Sequence, residues 1–180
     1  MATVFAFRNL IPAIRARMIA EIRGADAESR LYRSKRFEPV GEQGWMDLLI
    51  QAATDQNEHW LAHQAEQLGF FKDEEIKRKP KGGYTIAFVP HTASETLSDC
   101  EFNRYYMIAV CHEALDCKKG TVTVYRAKQR GEPRPESEAL IGTTYEPAAL
   151  IVELRKLPSR DMHPLLQPNS GLSVSFEPPA

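Results

Sequence analysis

SDCEFNRYYMIAVCHEALDCKKGTVTVYRA, residues 98–127, decides the fold class. Ser98 followed by Glu101 is the pattern of a capping box, in which hydroxyl and carboxylate satisfy two free N–H groups at a helix start. The spacing predicts a helix from Asp99 to about Cys117. Lys118 and Lys119 suit the negative C-terminal end of its dipole, and Gly120 suits the left-handed residue that stops a helix. Thr121 to Ala127 is rich in β-branched residues and is the strongest strand signal in the chain. Phe102, Tyr105, Tyr106, Ala109 and Val110 form the helix face expected to bury against a sheet containing Val122 and Val124. A helix leading straight into a strand predicts an α+β domain.

Working outward, residues 3–7 read as a short strand. Asn9 is a candidate cap for a helix that carries Pro12 in its first turn. Ile11, Ile14, Met18, Ile19 and Ile22 recur at helical spacing, and Gly24 is the expected stop. Residues 25–44, with Pro39, Gly41 and Gly44, read as a loop with a short strand near Tyr32. Trp45 to Phe71 is helical in pattern, with Gly69 a candidate early end. Residues 72–83 are a charged turn closing on Gly82-Gly83, and Tyr84 to Val89 alternates as a strand. Residues 129–138 are an Arg/Glu/Pro loop, and Pro147 to Leu157 a short helix with Leu150, Ile151 and Leu154 buried. The expected organisation is one α+β domain over 1–157. Its N-terminal half is helix-rich, and its C-terminal half is a small sheet with packed helices. A Pro-rich extended arm follows over 158–180, tipped by a β-like run from Leu172 to Phe176.

Composition limits the functions open to such a chain. Hydrophobic residues make up 43% of the 180 and charged residues 26%, which is ordinary for a globular protein. The formal net charge of −1 argues against a general nucleic-acid binder, which carries a basic excess. No apolar stretch approaches the ~20 residues that span a bilayer, and Arg8 interrupts the short apolar run Val4 to Phe7, unlike a signal peptide. With no export signal, Cys100, Cys111 and Cys117 read as reduced thiols of a cytosolic protein. The charge is segregated: residues 1–36 carry a net of +5, residues 38–75 a net of −8, and Lys77, Arg78, Lys79 and Lys81 add +4. Two readings are open: alternating solvated faces of successive elements, or attraction between the basic segment of one subunit and the acidic segment of another.

Several patterns carry chemistry. His112-Glu113-Ala114-Leu115-Asp116 approximates the H-E-x-x-H helix of zinc hydrolases, with Asp116 in place of the second histidine and His91 as the candidate third ligand. The bland reading is a polar helix end. Cys111 and Cys117 have five residues between them, whereas structural zinc usually takes cysteines separated by about two to four, so buried thiols are the simpler reading. His59 and His63, with Asp55 and Glu66, align on one helical face, as on any solvated edge. No serine elbow and no phosphate-binding glycine loop is present. Arg15, Arg17 and Arg23, on the polar side of the first helix, are candidate contacts for a partner subunit or for phosphates.

A resemblance bears on function. Phe102-Asn103-Arg104-Tyr105-Tyr106, Val124-Tyr125-Arg126-Ala127-Lys128, the run Pro133 to Gly142, and Asn169-Ser170-Gly171-Leu172-Ser173-Val174 together resemble small uncharacterised proteins encoded among tailed-phage and prophage structural genes. The likeness covers about residues 100–175 and carries over no functional residue. It implies a non-enzymatic structural or assembly subunit of a virion in a capsid, decoration or head–tail connector role, assembled in the host cytoplasm without a cofactor. The expected partners are copies of itself or other virion subunits. Leu172, Val174 and Phe176 are the candidate contacts of the arm, which would add a strand to a neighbour's sheet; a frayed tail is the other reading. A small metal-dependent hydrolase and a nucleic-acid-binding accessory protein are the alternatives.

Overall fold

A computed structural model of the chain describes residues 4–129, 131–157 and 162–177. Its described residues are 50% helix and 14% strand, the α+β class read from the sequence. In chain order the elements are helices α1 (Pro12–Ala27), α2 (Pro39–Asp55) and α3 (Glu58–Gln67), strands β1 (Glu74–Arg78) and β2 (Tyr84–Phe88), and helix α4 (Ala93–Asp116). Strand β3 (Val122–Arg126), helix α5 (Pro135–Leu140), strand β4 (Thr144–Tyr145), helix α6 (Pro147–Leu154), a 3₁₀ turn (Pro164–Leu166) and strand β5 (Leu172–Ser175) follow.

Helix α4 is the axis of the molecule. Every side chain from Glu101 to Cys111 is buried, and a helix buried on all sides has neighbours on all sides. Helices α1, α3 and α6 and strand β5 surround it. The helix begins at Ala93, one and a half turns before the capping-box serine. Ser94 is buried and donates to Glu66 of α3, so the turn before Ser98 is held by packing. Ser98 is itself buried in the helix, and Glu101 turns to Arg104 at 3.2 Å. At the other end the lysines stop the helix where expected. The left-handed residue is Lys118, at φ 55°, rather than Gly120, and the Lys119 N–H closes back on the Ala114 carbonyl at 2.8 Å.

Glycines account for other departures. Gly41 and Gly44 lie inside α2, which starts at Pro39, six residues before Trp45. A Cβ on Gly41 would sit 2.5 Å from the Phe70 carbonyl oxygen, and one on Gly44 would sit 2.7 Å from the Phe70 ring. These glycines admit the chain that follows α3, and they break no helix. The expected single helix over 45–71 is two, because Asn57 caps α3 by accepting from the Trp60 N–H at 2.8 Å. Gly24 lies within α1 and Asn9 does not cap it. Asn9 instead exchanges side-chain hydrogen bonds with the Phe176 main chain, at 3.1 and 3.2 Å.

The main sheet is antiparallel with strand order β4-β3-β5. Here the arm expected from residue 158 onward is corrected. Val174 stands opposite Val124, Leu172 opposite Arg126, and both Leu172 and Val174 are fully buried in the chain's own core. Asn103 of α4 donates to the Leu172 carbonyl at 2.8 Å and accepts from the Ser173 hydroxyl at 2.7 Å. Gly171 allows the close approach: a Cβ there would lie 2.2 Å from the Lys128 carbonyl. One core takes in side chains from Ile14 to Val174, so residues 162–177 belong to the packed body. Residues 158–161 and 178–180 of the expected arm lie outside the described residues.

Candidate functional site

The residues singled out in the sequence mostly serve the fold. The Arg15 guanidinium donates to the Ala53 and Gln56 carbonyls, each at 3.0 Å, and so caps the free carbonyls at the end of α2. Arg17 bridges Glu113 at 2.7 Å and Asp116 at 2.5 Å on α4. Arg23 is exposed. Leu172 and Val174 are core, and Phe176 is half-buried and fastened to Asn9. Arg36 makes a two-pronged hydrogen bond to Glu75, at 2.8 and 3.0 Å. The basic N-terminal segment therefore meets part of its acidic complement within the chain.

The metal pattern is dispersed in the same way. Arg17 takes Glu113 and Asp116, while His112 faces Arg155 at 3.4 Å and Glu21 at 3.9 Å. Burial holds the His112 imidazole below its usual range. His59 and His63 are exposed on α3, across a helix break from Asp55. Among the described residues no group of three or more His, Cys, Asp or Glu is placed to hold a metal ion, and no helix is long and apolar enough to cross a membrane.

A small cavity of about 140 Å³ lies between α4 and the segment before α2, lined by Tyr32, Ser34, Leu97, Cys100, Glu101 and Arg104. Its floor is the buried Glu101–Arg104 pair. Burial raises the Glu101 carboxyl above its usual range, against the opposing pull of Arg104. Arg104 also donates to the Leu154 and Lys156 carbonyls, which ties this pair to the end of α6.

The surface that has no such structural use is the β1–β2 hairpin. Residues 72–83 have the composition of a charged turn, but Glu74–Arg78 pairs antiparallel with Tyr84–Phe88. Gly82 and Gly83, at φ 92° and 79°, close the turn, a conformation that side chains other than glycine resist. These two strands form their own sheet, separate from the main one. Residues two apart on a strand share a face, so Glu74, Ile76 and Arg78 lie beside Phe88, Ile86 and Tyr84 on one side. Ile76 is 76% exposed, Tyr84 72%, Ile86 68% and Phe88 78%. At ~150–250 Å² for each aromatic, this face presents on the order of 500 Å² of apolar surface, within the ~300–600 Å² of the largest patch on a typical monomer, one that is often functional. The opposite side carries Glu75, which Arg36 binds to the body and holds below the usual carboxylate range.

Charge is graded along the hairpin. Asp73, Glu74 and Glu75 stand at its foot, and Lys77, Arg78, Lys79 and Lys81 at its tip. Beside the foot runs an open groove of about 890 Å³, walled in part by Glu38, Glu66, Asp73, Glu74 and Phe88. The hairpin thus offers an apolar strip with an acidic and a basic end, and among the described residues no third strand pairs with either of its edges. No family model, no curated protein and no solved structure matches this chain.

Proposed function

We propose that this chain is a non-enzymatic structural or assembly subunit that joins its neighbours through the β1–β2 hairpin. The observation that carries this reading is the exposed apolar face of Ile76, Tyr84, Ile86 and Phe88. A lone two-stranded hairpin is marginally stable in water, and free strand edges invite pairing with another chain. A hairpin that leaves its apolar side in solvent gains from a partner that covers it. The resemblance over residues 100–175 supports a tailed-phage-like particle as the setting, with a capsid, decoration or head–tail connector role and other copies or other virion subunits as partners.

The hydrolase alternative finds no support in the engagement of Glu113 and Asp116 by Arg17. The nucleic-acid alternative retains one specific observation, a basic tip beside exposed Tyr84, since lysines meet phosphates and aromatics stack on bases. The acidic foot and groove work against a long polyanion on the same face. Light scattering over a concentration series, followed by negative-stain imaging, tests the proposal. The expected result is a species larger than the 20.4 kDa chain, growing with concentration. A strict monomer at high concentration that retains no partner would contradict it.

A further inference from the structure

Resting on that reading, we propose that the hairpin's partner is the hairpin of a second copy of this chain, docked face to face about a two-fold axis that crosses the strands at the Ile76–Ile86 pair. The residue pattern of the face is itself symmetric about that axis. Ile76 and Ile86 are cross-strand neighbours. Two residues either side of Ile76 stand Glu74 and Arg78, and two residues either side of Ile86 stand Tyr84 and Phe88. A two-fold axis lying between the stacked faces, perpendicular to the strands, reverses each strand over its own copy. It sets Glu74 over Arg78 of the partner subunit, Tyr84 over Phe88 of the partner subunit, and each isoleucine over itself. Every position meets a suitable chemistry: an ion pair, an aromatic pair and an aliphatic contact. The pairs occur twice, as a closed isologous interface requires.

The other simple face-to-face arrangement has its axis along the strands and lays tip over tip. That places Lys77, Arg78, Lys79 and Lys81 of both copies together, and like charges brought together oppose association. With tip over foot, the span from Glu74 to Arg78 of ~13 Å, at ~3.3 Å per residue, brings each basic tip to the other chain's acidic foot. There the groove walled by Glu38, Glu66, Asp73 and Glu74 is open to receive Lys79 or Lys81. The apolar face alone, on the order of 500 Å² at ~150–250 Å² for each aromatic, supplies more than half of the ~800 Å² per partner of a standard stable interface.

The test is a charge swap read by sedimentation velocity, with a melting curve on each protein to show that it is folded. Glu74→Arg alone and Arg78→Glu alone each put like charges in contact twice, and each should weaken dimerisation by roughly tenfold or more. The double variant Glu74→Arg/Arg78→Glu restores opposite charges in the tip-over-foot arrangement only, and should recover the wild-type dimer while failing to pair with wild-type chain. A double variant as weak as the single ones overturns the two-fold. Association untouched by either single variant also overturns it, while leaving the assembly reading standing with another partner or geometry. A wild-type chain that stays monomeric, or that shifts single-stranded DNA through Arg78 without self-association, overturns it as well.

Discussion

Tyr106 joins the N-terminal segment to the centre of the fold, and its removal separates two energetic contributions. Its ring is fully buried on α4, with the Phe7 ring 4.4 Å away between centroids. Its hydroxyl accepts the buried Asn9 N–H at 3.0 Å. Tyr106→Ala loses the aromatic packing, about 3–5 kcal/mol by analogy with other large aromatic truncations. It also leaves the Asn9 N–H without its acceptor, a further ~1–3 kcal/mol. Against a total stability of about 5–15 kcal/mol, that variant should be close to unfolding. Tyr106→Phe keeps the ring and removes only the hydroxyl, which accepts from Asn9 and also bonds Tyr125, so it should cost about 1–3 kcal/mol. At roughly 2–4 °C per kcal/mol for a chain of this size, Tm should fall by about 2–12 °C. Urea unfolding followed by fluorescence measures both variants on one scale. A Tyr106→Phe protein as stable as wild type would refute the docking of residues 5–9 onto α4. A Tyr106→Ala protein that melts like wild type but no longer associates would move the aromatic cluster to an interface.

Leu172→Ala should destabilise by about 2–5 kcal/mol in urea melts, as a buried leucine does; a residue on a free arm would cost nothing. Arg15→Met should lower stability by roughly 1–3 kcal/mol, since it leaves the last carbonyls of α2 without their charged donor, and an unchanged Cm would show that water replaces the guanidinium freely. Glu58 is fully buried and burial holds its carboxyl above the usual range, so the folded state binds this proton more tightly than the unfolded one. The charged form is therefore a burden at neutral pH that eases as pH falls through the folded pKa. Glu58→Gln should be more stable relative to wild type at pH 7 than at pH 4.5, and stability curves that stay parallel between those values would count against it.

How far the sequence reveals this molecule depends on whether neighbours or distant residues control each segment. The unit from α4 to β3 was legible because periodicity, the terminal lysines and the Thr/Val run agree locally. Gly41 and Gly44 misled because their reason is distant: the ring and carbonyl of Phe70 occupy the space of their side chains. Asn9 read as a cap because nothing nearby reveals that Phe176 takes both of its side-chain polar atoms. Leu172 to Phe176 read as the tip of an arm because a short β run after prolines shows no partner, which here is β3. The internal contacts of the interaction candidates are distant for the same reason: Arg15 and Arg17 reach α2 and α4, and Leu172 and Val174 lie in the core. Strand β2 was legible, but its partner β1 was missed because Lys72 to Gly83 has the hydrophilicity of a loop. The available signal was a glycine pair flanked by two five-residue segments, with Ile76 isolated among charges and answered by Tyr84, Ile86 and Phe88 at every second position.

Whether another subunit covers the hairpin's apolar face can be read by sedimentation velocity on a variant carrying Ile76→Ser, Ile86→Ser and Phe88→Ser. These side chains contribute little to the chain's own core, being 68–78% exposed, so the variant should melt within a few degrees of wild type, about 1 kcal/mol on the scale of surface changes. Wild type should sediment as an associated species and the variant as a 20.4 kDa monomer. Wild type and variant sedimenting alike, with equal melting temperatures, would contradict it.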